Sequence, residues 1–158
     1  MILYHASSIA VPKPDVLHSR KNVDFGPGFY TTSLIEQAKK WCERFVQSDG
    51  HAVISKYELN DEAFKRSKAL VFDAYSDEWL DFVVKCRKEK DSSDFDLVMG
   101  GIANDKVFDT VELYIGGLID KSVAIERLRL QQPSMQLALR TQEVIDKYLQ
   151  YVGSETIC

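Results

Sequence analysis

The chain has 158 residues, of which 45% are hydrophobic and 28% charged, with a formal net charge of -4 at pH 7. This length predicts a single domain that needs no disulfide or metal, since a domain of about 150 residues buries about 68–70% of its unfolded surface. The acidic balance argues against non-specific binding to duplex DNA, which requires a basic surface, but does not exclude a nucleic-acid substrate met at a local patch.

The cysteines and the N-terminus bear on the cellular compartment. Cys42, Cys86 and Cys158 lie far apart and form no CxxC motif, so we expect neither a disulfide framework nor a structural zinc site. The first residues lack the basic segment and apolar run of a signal peptide. No apolar stretch approaches the roughly 20 residues that span a bilayer. The sequence therefore predicts a soluble, cytoplasmic protein without a membrane partner.

The first half of the chain alternates strand-like and helix-like patterns. Ser33 and Glu36 match a capping box, and an apolar stripe that includes Leu34 follows at spacings of three and four. The predicted elements are a strand at 2–6, an irregular segment at 11–21, a glycine-rich turn at 24–32, a helix from 33 to about 49, a central strand at 52–59 and a loop or short turn of helix at 61–68.

The second half adds four helices and three strands. Ser76, Asn104 and Thr141 are favourable starts for three of the helices. The cations at 85–90 suit the end of a helix dipole, with a polyanion site as the alternative. The predicted elements are a helix from 76 to about 90, a strand at 94–99 entering a turn at 100–101, a helix at 104–115, a helix at 122–130, a loop at 131–134, a strand at 135–140, a helix at 141–149 and a terminal strand from 151. Strands at both ends with helices between them predict an α+β domain.

The stretch 24–32 combines a rigid turn with aromatic residues. Phe29 and Tyr30 come directly after Gly26-Pro27-Gly28, which predicts a stiff turn that delivers the Tyr30 ring to a pocket. Asp24-Phe25-Gly26 also matches the magnesium motif of protein kinases, but the glycine-rich and HRD loops of kinases are missing. Two glycines without a third, and without a preceding strand, do not make a dinucleotide fingerprint.

The histidines and cysteines suggest three sites to consider: a nucleophilic pair, a metal site and a ligand site at His5. Cys42 with His51 could form a nucleophilic pair, but Cys42 lies on the apolar stripe of a helix, where a buried cysteine behaves as a small hydrophobe. His18 and His51 have no partner at metal-ligand spacing, so we expect no metal. His5 lies near the end of the first strand, and the small residues after it would let a ligand approach the backbone. The alternative for His5 is a structural histidine.

Five segments of the chain carry a family resemblance. They are Leu3-Tyr4-His5-Ala6-Ser7, Asp24-Phe25-Gly26-x-Gly28-Phe29-Tyr30-x-Thr32, Gln37-Ala38-x-x-Trp41, Gly101-Ile102-Ala103-Asn104-Asp105 and the run from Gln136 to Thr141. In order and spacing they resemble a bacterial family catalogued as domain of unknown function 3990 and grouped with the ADP-ribosyltransferases. The resemblance covers nearly the whole chain. It implies one domain over 1–158, with a split mixed or antiparallel β-sheet flanked by helices.

The resemblance also implies a site for NAD as co-substrate. It places three catalytic positions at His5, Tyr30 and Gln136. His5 would bond the adenosine ribose, the backbone at Ala6 would hold the nicotinamide amide, and Tyr30 would stack on nicotinamide. Arg20 could pair with the pyrophosphate, a solvated loop arginine being the alternative. The predicted NAD-binding residues are His5, Ala6, Arg20, Asp24, Gly28 and Tyr30.

Gln136 departs from the pattern of the best-known relatives, which have glutamate at this position. That carboxylate stabilises the oxocarbenium-like ribose and binds its 2′-hydroxyl. Glutamine accepts a hydrogen bond without a negative charge, and charge-assisted bonds are roughly twice as strong. Without the resemblance, a surface glutamine at a strand edge is the alternative. Another carboxylate could supply the charge, and the candidates are Asp24, Asp96, Asp105 and Glu143.

Two functions of different classes follow from the resemblance. The first is a mono-ADP-ribosyltransferase, whose acceptor (a protein, nucleic acid or small molecule) would meet the loop at 131–135. Relatives often act as toxins beside a small antitoxin, so a toxin–antitoxin pair is an expectation. The second, motivated by Gln136, is a non-catalytic module that binds NAD or ADP-ribose. A relative acting on phosphorylated RNA ends ranks last, because that chemistry needs more arginines around a phosphate.

Overall fold

A computed structural model describes residues 1–20 and 23–157 of the chain. Lys21, at the end of the predicted irregular segment, and Cys158, the third cysteine, lie outside the described residues. Within those ranges the elements are β1 (Ile2–Ser7), β2 (Phe29–Thr31), α1 (Ile35–Asp49), β3 (Ala52–Leu59), α2 (Glu62–Arg66), β4 (Ala69–Val71), α3 (Asp77–Arg87), β5 (Leu97–Gly101), α4 (Asp105–Ile115), α5 (Lys121–Arg129), β6 (Met135–Leu139), α6 (Gln142–Tyr148) and β7 (Leu149–Ile157).

The strands form two sheets. The first is antiparallel in the order β1-β3-β7, so β3 is central, as its β-branched and aromatic sequence predicts. The second has the order β2-β6-β5-β4 and is mixed, because β4 and β5 run parallel while the other neighbours are antiparallel. In the second sheet β6 is an interior strand, with β2 on one side and β5 on the other.

A short backbone bridge joins the two sheets. Tyr4 N–H donates to the Thr32 carbonyl at 2.8 Å, and Thr32 N–H donates to the Tyr4 carbonyl at 3.0 Å. The bridge brings the middle of β1 beside the end of β2, so the strand that carries His5 adjoins the strand that carries Tyr30. Two sheets with six helices among the described residues confirm the predicted α+β fold with a split sheet.

Three groups of buried side chains hold these layers together. The largest surrounds Trp79 of α3 and Val107 of α4, which lie with α5 against the second sheet. Another contains Leu3 and Leu137, and thus side chains from both sheets. The third includes Cys42, by which α1 packs on the first sheet. Each fully buried Leu or Val contributes about 1.5–3 kcal/mol of transfer free energy. Over the two described ranges, no helix is long and apolar enough to cross a membrane.

The start of α1 differs from the prediction. The helix begins at Ile35 with Leu34 at the N-cap and no side-chain capping bond, so the capping box at Ser33 and Glu36 is wrong. Thr32 Oγ1 instead accepts from Leu34 N–H at 3.2 Å, because the bridge to β1 already fixes Thr32 at this point. Leu34 is consequently 48% exposed instead of joining the core. The helix ends as predicted, with Gly50 in the left-handed region at φ 77°.

The glycines at 100 and 101 lie inside β5 and do not form the predicted turn. A Cβ on Gly100 would come within 2.9 Å of the Phe25 ring, and one on Gly101 would overlap the ring of Tyr75. Both glycines therefore allow aromatic rings to pack directly on the strand backbone. The predictions also omit β4, a three-residue strand beside β5. The predicted caps at Ser76 and Asn104 are confirmed, since both side chains accept a backbone N–H of the first helical turn.

Candidate functional site

A cleft of about 900 Å³ opens where the two sheets meet. Its walls come from β1, from the segment that precedes β2, from β2 itself, from one face of α1 and from α4. Its volume falls within the range of about 300–1,000 Å³ that is typical of small-molecule sites. The lining includes every residue predicted for catalysis or for NAD binding, namely His5, Ala6, Arg20, Asp24, Gly28, Tyr30 and Gln136.

His5 is held in one orientation and one tautomer. Its Nδ1 lies 2.7 Å from the Tyr30 carbonyl oxygen. Because a carbonyl can only accept, Nδ1 carries the proton. The ring also lies against Phe29, with the ring centroids 4.4 Å apart. Burial lowers the pKa of His5 against the opposing effect of the Tyr30 bond, so the imidazole is neutral at pH 7. Nε2 is then left as a hydrogen-bond acceptor.

The side chain of Tyr30 is held by two hydrogen bonds to its hydroxyl and by the packing of its ring. Its hydroxyl donates to the Gly26 carbonyl at 2.6 Å and accepts from Phe25 N–H at 3.0 Å. Its ring stacks beside that of Phe25, with centroids 6.5 Å apart and planes inclined by 19°. Burial raises the pKa of Tyr30 far above its ordinary value, so the phenol does not ionise near neutral pH. An immobilised neutral ring on the cleft wall suits a stacking platform.

The shape of the Gly-Pro-Gly turn requires glycine at both Gly26 and Gly28. Gly26 adopts φ 75°, which disfavours any residue with a Cβ. Gly28 has an ordinary φ, but a Cβ there would lie 2.8 Å from the Leu139 carbonyl oxygen and 3.3 Å from Arg140 Cα. The turn is therefore pressed onto the end of β6. This contact sets the position of Tyr30 relative to the strand that carries Gln136.

Asp24 is the centre of a polar cluster that also includes Arg87 and Glu112. Arg87 donates to Asp24 Oδ1 through Nη2 at 2.7 Å and Nε at 3.0 Å, and to Glu112 through Nη1 at 3.0 Å. The side chains of Arg87 and Asp24 are only 9% and 15% exposed, so their ion pair is shielded from water. Asp24 Oδ2 also accepts from Ala103 N–H at 3.4 Å. The cluster fixes the Asp24 carboxylate on the cleft wall.

The sequence patterns do not single out Arg87 as a functional residue. They assign the basic run at 85–90 to a helix end, and most of that run is indeed exposed. Arg87, however, follows Val83 by four positions and so lies on the buried face of α3, where it also packs over the Phe108 ring at 4.8 Å. That spacing is the signal in the sequence that could have identified it.

Gln136 is buried, with 6% of its surface exposed. It lies on the interior strand β6 opposite Gly100, so the alternative of a surface glutamine at a strand edge is wrong. Its Nε2 donates to Asp24 Oδ2 at 3.3 Å. The side chain that replaces the expected glutamate is thus in direct contact with a carboxylate.

The other predicted carboxylates lie elsewhere. Asp96 accepts from Thr141 Oγ1 and from Lys68 N–H, both at 2.9 Å, and so joins β5 to its neighbours. Asp105 and Glu143 are exposed on helices. Of the four candidates, only Asp24 lines the cleft. The predicted acceptor loop at 131–135 does not line the cleft either, and its Gln131 borders a separate hollow of about 280 Å³.

Cations gather at the rim of the cleft. Lys13, Arg20 and Arg44 line it, and all three side chains are exposed. Desolvation lowers the pKa of Arg44, and the positive charge of Arg20 lowers it further. Two guanidinium groups that repel each other across a cleft are stabilised when an anion binds between them. This rim is therefore suited to a phosphate group.

Cys42 behaves as a core residue. It is 1% exposed on α1, and burial raises the pKa of its thiol, so the thiolate that a nucleophile needs is disfavoured. His51, its proposed partner, is exposed. Over residues 1–20 and 23–157, no group of three or more His, Cys, Asp or Glu side chains is placed to hold a metal ion.

Comparison with known proteins gives a family assignment. No curated protein and no solved structure matches the chain. A family model described as "Protein of unknown function (DUF3990)" matches residues 1–151, which include all the residues that line the cleft and every strand except most of β7. The chain therefore belongs to the DUF3990 family of proteins of unknown function.

Proposed function

We propose that this protein is a mono-ADP-ribosyltransferase of the ADP-ribosyltransferase superfamily. It binds NAD in the cleft, cleaves the nicotinamide–ribose bond and transfers ADP-ribose to an acceptor. One observation carries the proposal: His5, Tyr30 and Gln136, which are widely separated in the sequence, line a single cleft at the junction of the two sheets. The size of the cleft and the chemical groups on its wall are compatible with a dinucleotide.

The neutral His5 supplies an acceptor for a ribose hydroxyl. Its Nδ1–H is occupied by the Tyr30 carbonyl, so Nε2 is the ring atom that remains for a ligand. An imidazole held between two strands loses little entropy when it binds. Ala6, the next residue of β1, also lines the cleft, and its backbone would hold the amide of nicotinamide.

Tyr30 supplies the surface for the nicotinamide ring. Its hydroxyl bonds fix the position of the ring on the cleft wall, so the ring is preorganised for stacking. Arg20 and Arg44 at the rim would neutralise the pyrophosphate, relieving their mutual repulsion. Tyr30 would thus stack on nicotinamide, while Arg20 and Arg44 would neutralise the charge of the pyrophosphate.

The reaction exchanges one bond for another without a redox step. The bond between the ribose C1′ and the nicotinamide nitrogen breaks, and its electron pair stays with the nitrogen, neutralising the ring. The ribose acquires oxocarbenium character, an acceptor heteroatom forms the new bond to C1′, and its proton passes to solvent. Gln136 would accept a hydrogen bond from the 2′-hydroxyl. A site that holds these groups in place can contribute about 7–11 kcal/mol to lowering the barrier.

A non-catalytic module that binds NAD or ADP-ribose is the second candidate. The specific observation in its favour is that position 136 carries no charge, while the nearest carboxylate, Asp24, is already bonded by Arg87. Such a site would bind the ribose and pyrophosphate yet stabilise the transition state less than a glutamate would. The two candidates share the cleft and differ only in turnover.

Two measurements on the purified protein separate the candidates. Calorimetry tests NAD binding, and NAD labelled in nicotinamide or in adenosine tests release and transfer in a cell lysate. The transferase predicts saturable binding, nicotinamide release and label on an acceptor, all reduced in Tyr30→Ala. The binding module predicts saturable binding alone. Absence of binding in both wild type and Tyr30→Ala would contradict both candidates.

A toxin role is proposed from the resemblance alone, with a small antitoxin as partner. Expression of the protein should then slow bacterial growth, and co-expression of a small neighbouring gene product should relieve the effect. The matched control is His5→Ala, which should be harmless if toxicity depends on the cleft. Equal toxicity of wild type and His5→Ala would contradict an NAD-dependent toxin.

A further inference from the structure

The contact between Asp24 and Gln136 suggests a reason for the glutamine at 136. We infer that Asp24 provides the negative charge of the site and orients Gln136, so that the two residues together replace a single catalytic glutamate. Asp24 acts here as a positioning residue, through Gln136. The inference rests on the proposed function, because it assigns roles within the same reaction.

The orientation of the Gln136 amide follows from hydrogen-bond chemistry. Arg87 donates twice to Asp24 Oδ1 and Ala103 N–H donates to Oδ2, so both carboxylate oxygens act as acceptors. The Gln136 atom that faces it at 3.3 Å must therefore be the NH₂ group. The amide oxygen, Oε1, then points away from Asp24 as an acceptor. Among the described residues, Tyr148 Oη is the one buried side-chain oxygen or nitrogen without a partner, so Oε1 is not sealed in the core.

The charge of the cluster is not cancelled by Arg87. One guanidinium lies between two carboxylates, Asp24 at 2.7 Å and Glu112 at 3.0 Å. The three side chains therefore carry a formal net charge of one negative unit, and Asp24 is the carboxylate that contacts Gln136. A negative charge fixed near a developing oxocarbenium ion stabilises it, even when a neutral amide makes the direct contact.

A glutamate at 136 would conflict with this arrangement. Its carboxylate would replace the NH₂ group 3.3 Å from Asp24 Oδ2, inside a strand that is almost fully buried. Two carboxylates that close cannot both ionise without a large cost, so one would take up a proton and the pKa of the introduced carboxyl would rise. Glutamine is the residue that both donates to Asp24 and accepts from a ligand. The residues at 24 and 136 are therefore expected to be energetically coupled.

A double-mutant cycle on stability tests the coupling without any ligand. Gln136→Glu should lower the Tm at pH 8 by roughly 5–15 °C, as expected for a buried charge next to a like charge. The loss should be smaller at pH 5, where the introduced carboxyl is protonated, and smaller in an Asp24→Asn background, where the amide at 24 donates to it. Gln47→Glu, on the exposed end of α1, is the matched charge control and should change the Tm little.

If Gln136→Glu does not fold, recovery of a folded protein in Asp24→Asn/Gln136→Glu supports the inference. Equal losses of Tm for Gln136→Glu with Asp24 and with Asn at 24 would overturn it. The same result at pH 5 and pH 8 would also count against it, because repulsion between two charges requires both to be ionised.

The rate of nicotinamide release from NAD tests the role in the reaction. Each single variant, Asp24→Asn and Gln136→Glu, should lose roughly a hundredfold or more in kcat, the level expected for a transition-state electrostatic contact. The double variant should regain most of that loss, since it restores one carboxylate and one amide with their positions exchanged. Wild-type activity in Asp24→Asn would overturn the inference. A wild-type protein that binds NAD without releasing nicotinamide would contradict the transferase, while the stability cycle would still decide whether Asp24 and Gln136 are coupled.

Discussion

Replacing Gly28 by alanine should disturb the candidate site through packing alone. The new Cβ would lie 2.8 Å from the Leu139 carbonyl oxygen and 3.3 Å from Arg140 Cα, both backbone atoms that cannot rotate away. The first contact is about 0.7 Å shorter than the optimum near 3.5 Å, so the turn must move off β6. Overpacking of this kind typically costs about 1–3 kcal/mol. For a domain of this size, that corresponds to a Tm lower by roughly 2–12 °C.

Gly153→Ala provides the matched control. Gly153 lies in β7, where a new Cβ would have nothing within 4 Å and the φ is not positive, so the same substitution should be neutral or slightly stabilising there. Thermal denaturation followed by circular dichroism measures both variants. Because the displaced turn carries Tyr30, NAD binding should weaken in Gly28→Ala and remain unchanged in Gly153→Ala. Equal Tm values for the two variants would show that the contact with β6 does not require glycine at position 28.

Three further variants probe the cluster, the platform and the histidine. Arg87→Ala should lower the free energy of unfolding in urea by about 3–5 kcal/mol, because it leaves the shielded Asp24 carboxylate unpaired. Lys121→Ala, which removes an exposed ion pair, should lower it by less than about 1 kcal/mol. Similar losses in the two variants would argue against the shielding of the Arg87–Asp24 pair from water. Tyr30→Phe keeps the ring but leaves Phe25 N–H without its partner, so we expect the free energy of unfolding to fall by about 1–3 kcal/mol while the ring still stacks on a ligand. An unchanged urea midpoint would contradict the role of the Tyr30 hydroxyl as an anchor. Burial lowers the pKa of His5, so the unfolded chain takes up the His5 proton at a higher pH than the folded protein does, and the free energy of unfolding should fall as the pH drops below about 6.5, by at most about 1.4 kcal/mol per pH unit. His5→Gln should flatten this pH dependence between pH 7 and pH 5. An unaltered slope of unfolding free energy against pH would show that other groups cause it.

Local patterns predicted most of the elements that carry the site. The hydrophobic first strand and the Gly-Pro-Gly turn placed His5 and Tyr30, because strand alternation and turn chemistry depend on a few neighbouring residues. The family resemblance singled out Gln136. The predicted start of α1 was wrong because of a tertiary contact. Thr32 is fixed by its bridge to β1, so Ser33 does not cap the helix.

The partners of these residues could not be predicted in the same way. Arg87 meets Asp24 across 63 positions of sequence, and Gln136 meets it across 112. Such contacts depend on how α3 and β6 pack against the turn, and no local spacing encodes that distance. The strand location of Gly100 has the same origin, since the Phe25 ring that excludes a side chain there comes from another part of the chain.

The most direct test of the proposed function is the rate of nicotinamide release from NAD by the purified protein, compared with that of Tyr30→Ala and of Gly153→Ala. We expect release by the wild type, the same rate in Gly153→Ala, and a rate reduced at least about a hundredfold in Tyr30→Ala, in which the platform is gone and the reacting ring is misplaced. Nicotinamide release at equal rates from all three proteins, or from none of them, would contradict the claim that this cleft cleaves NAD.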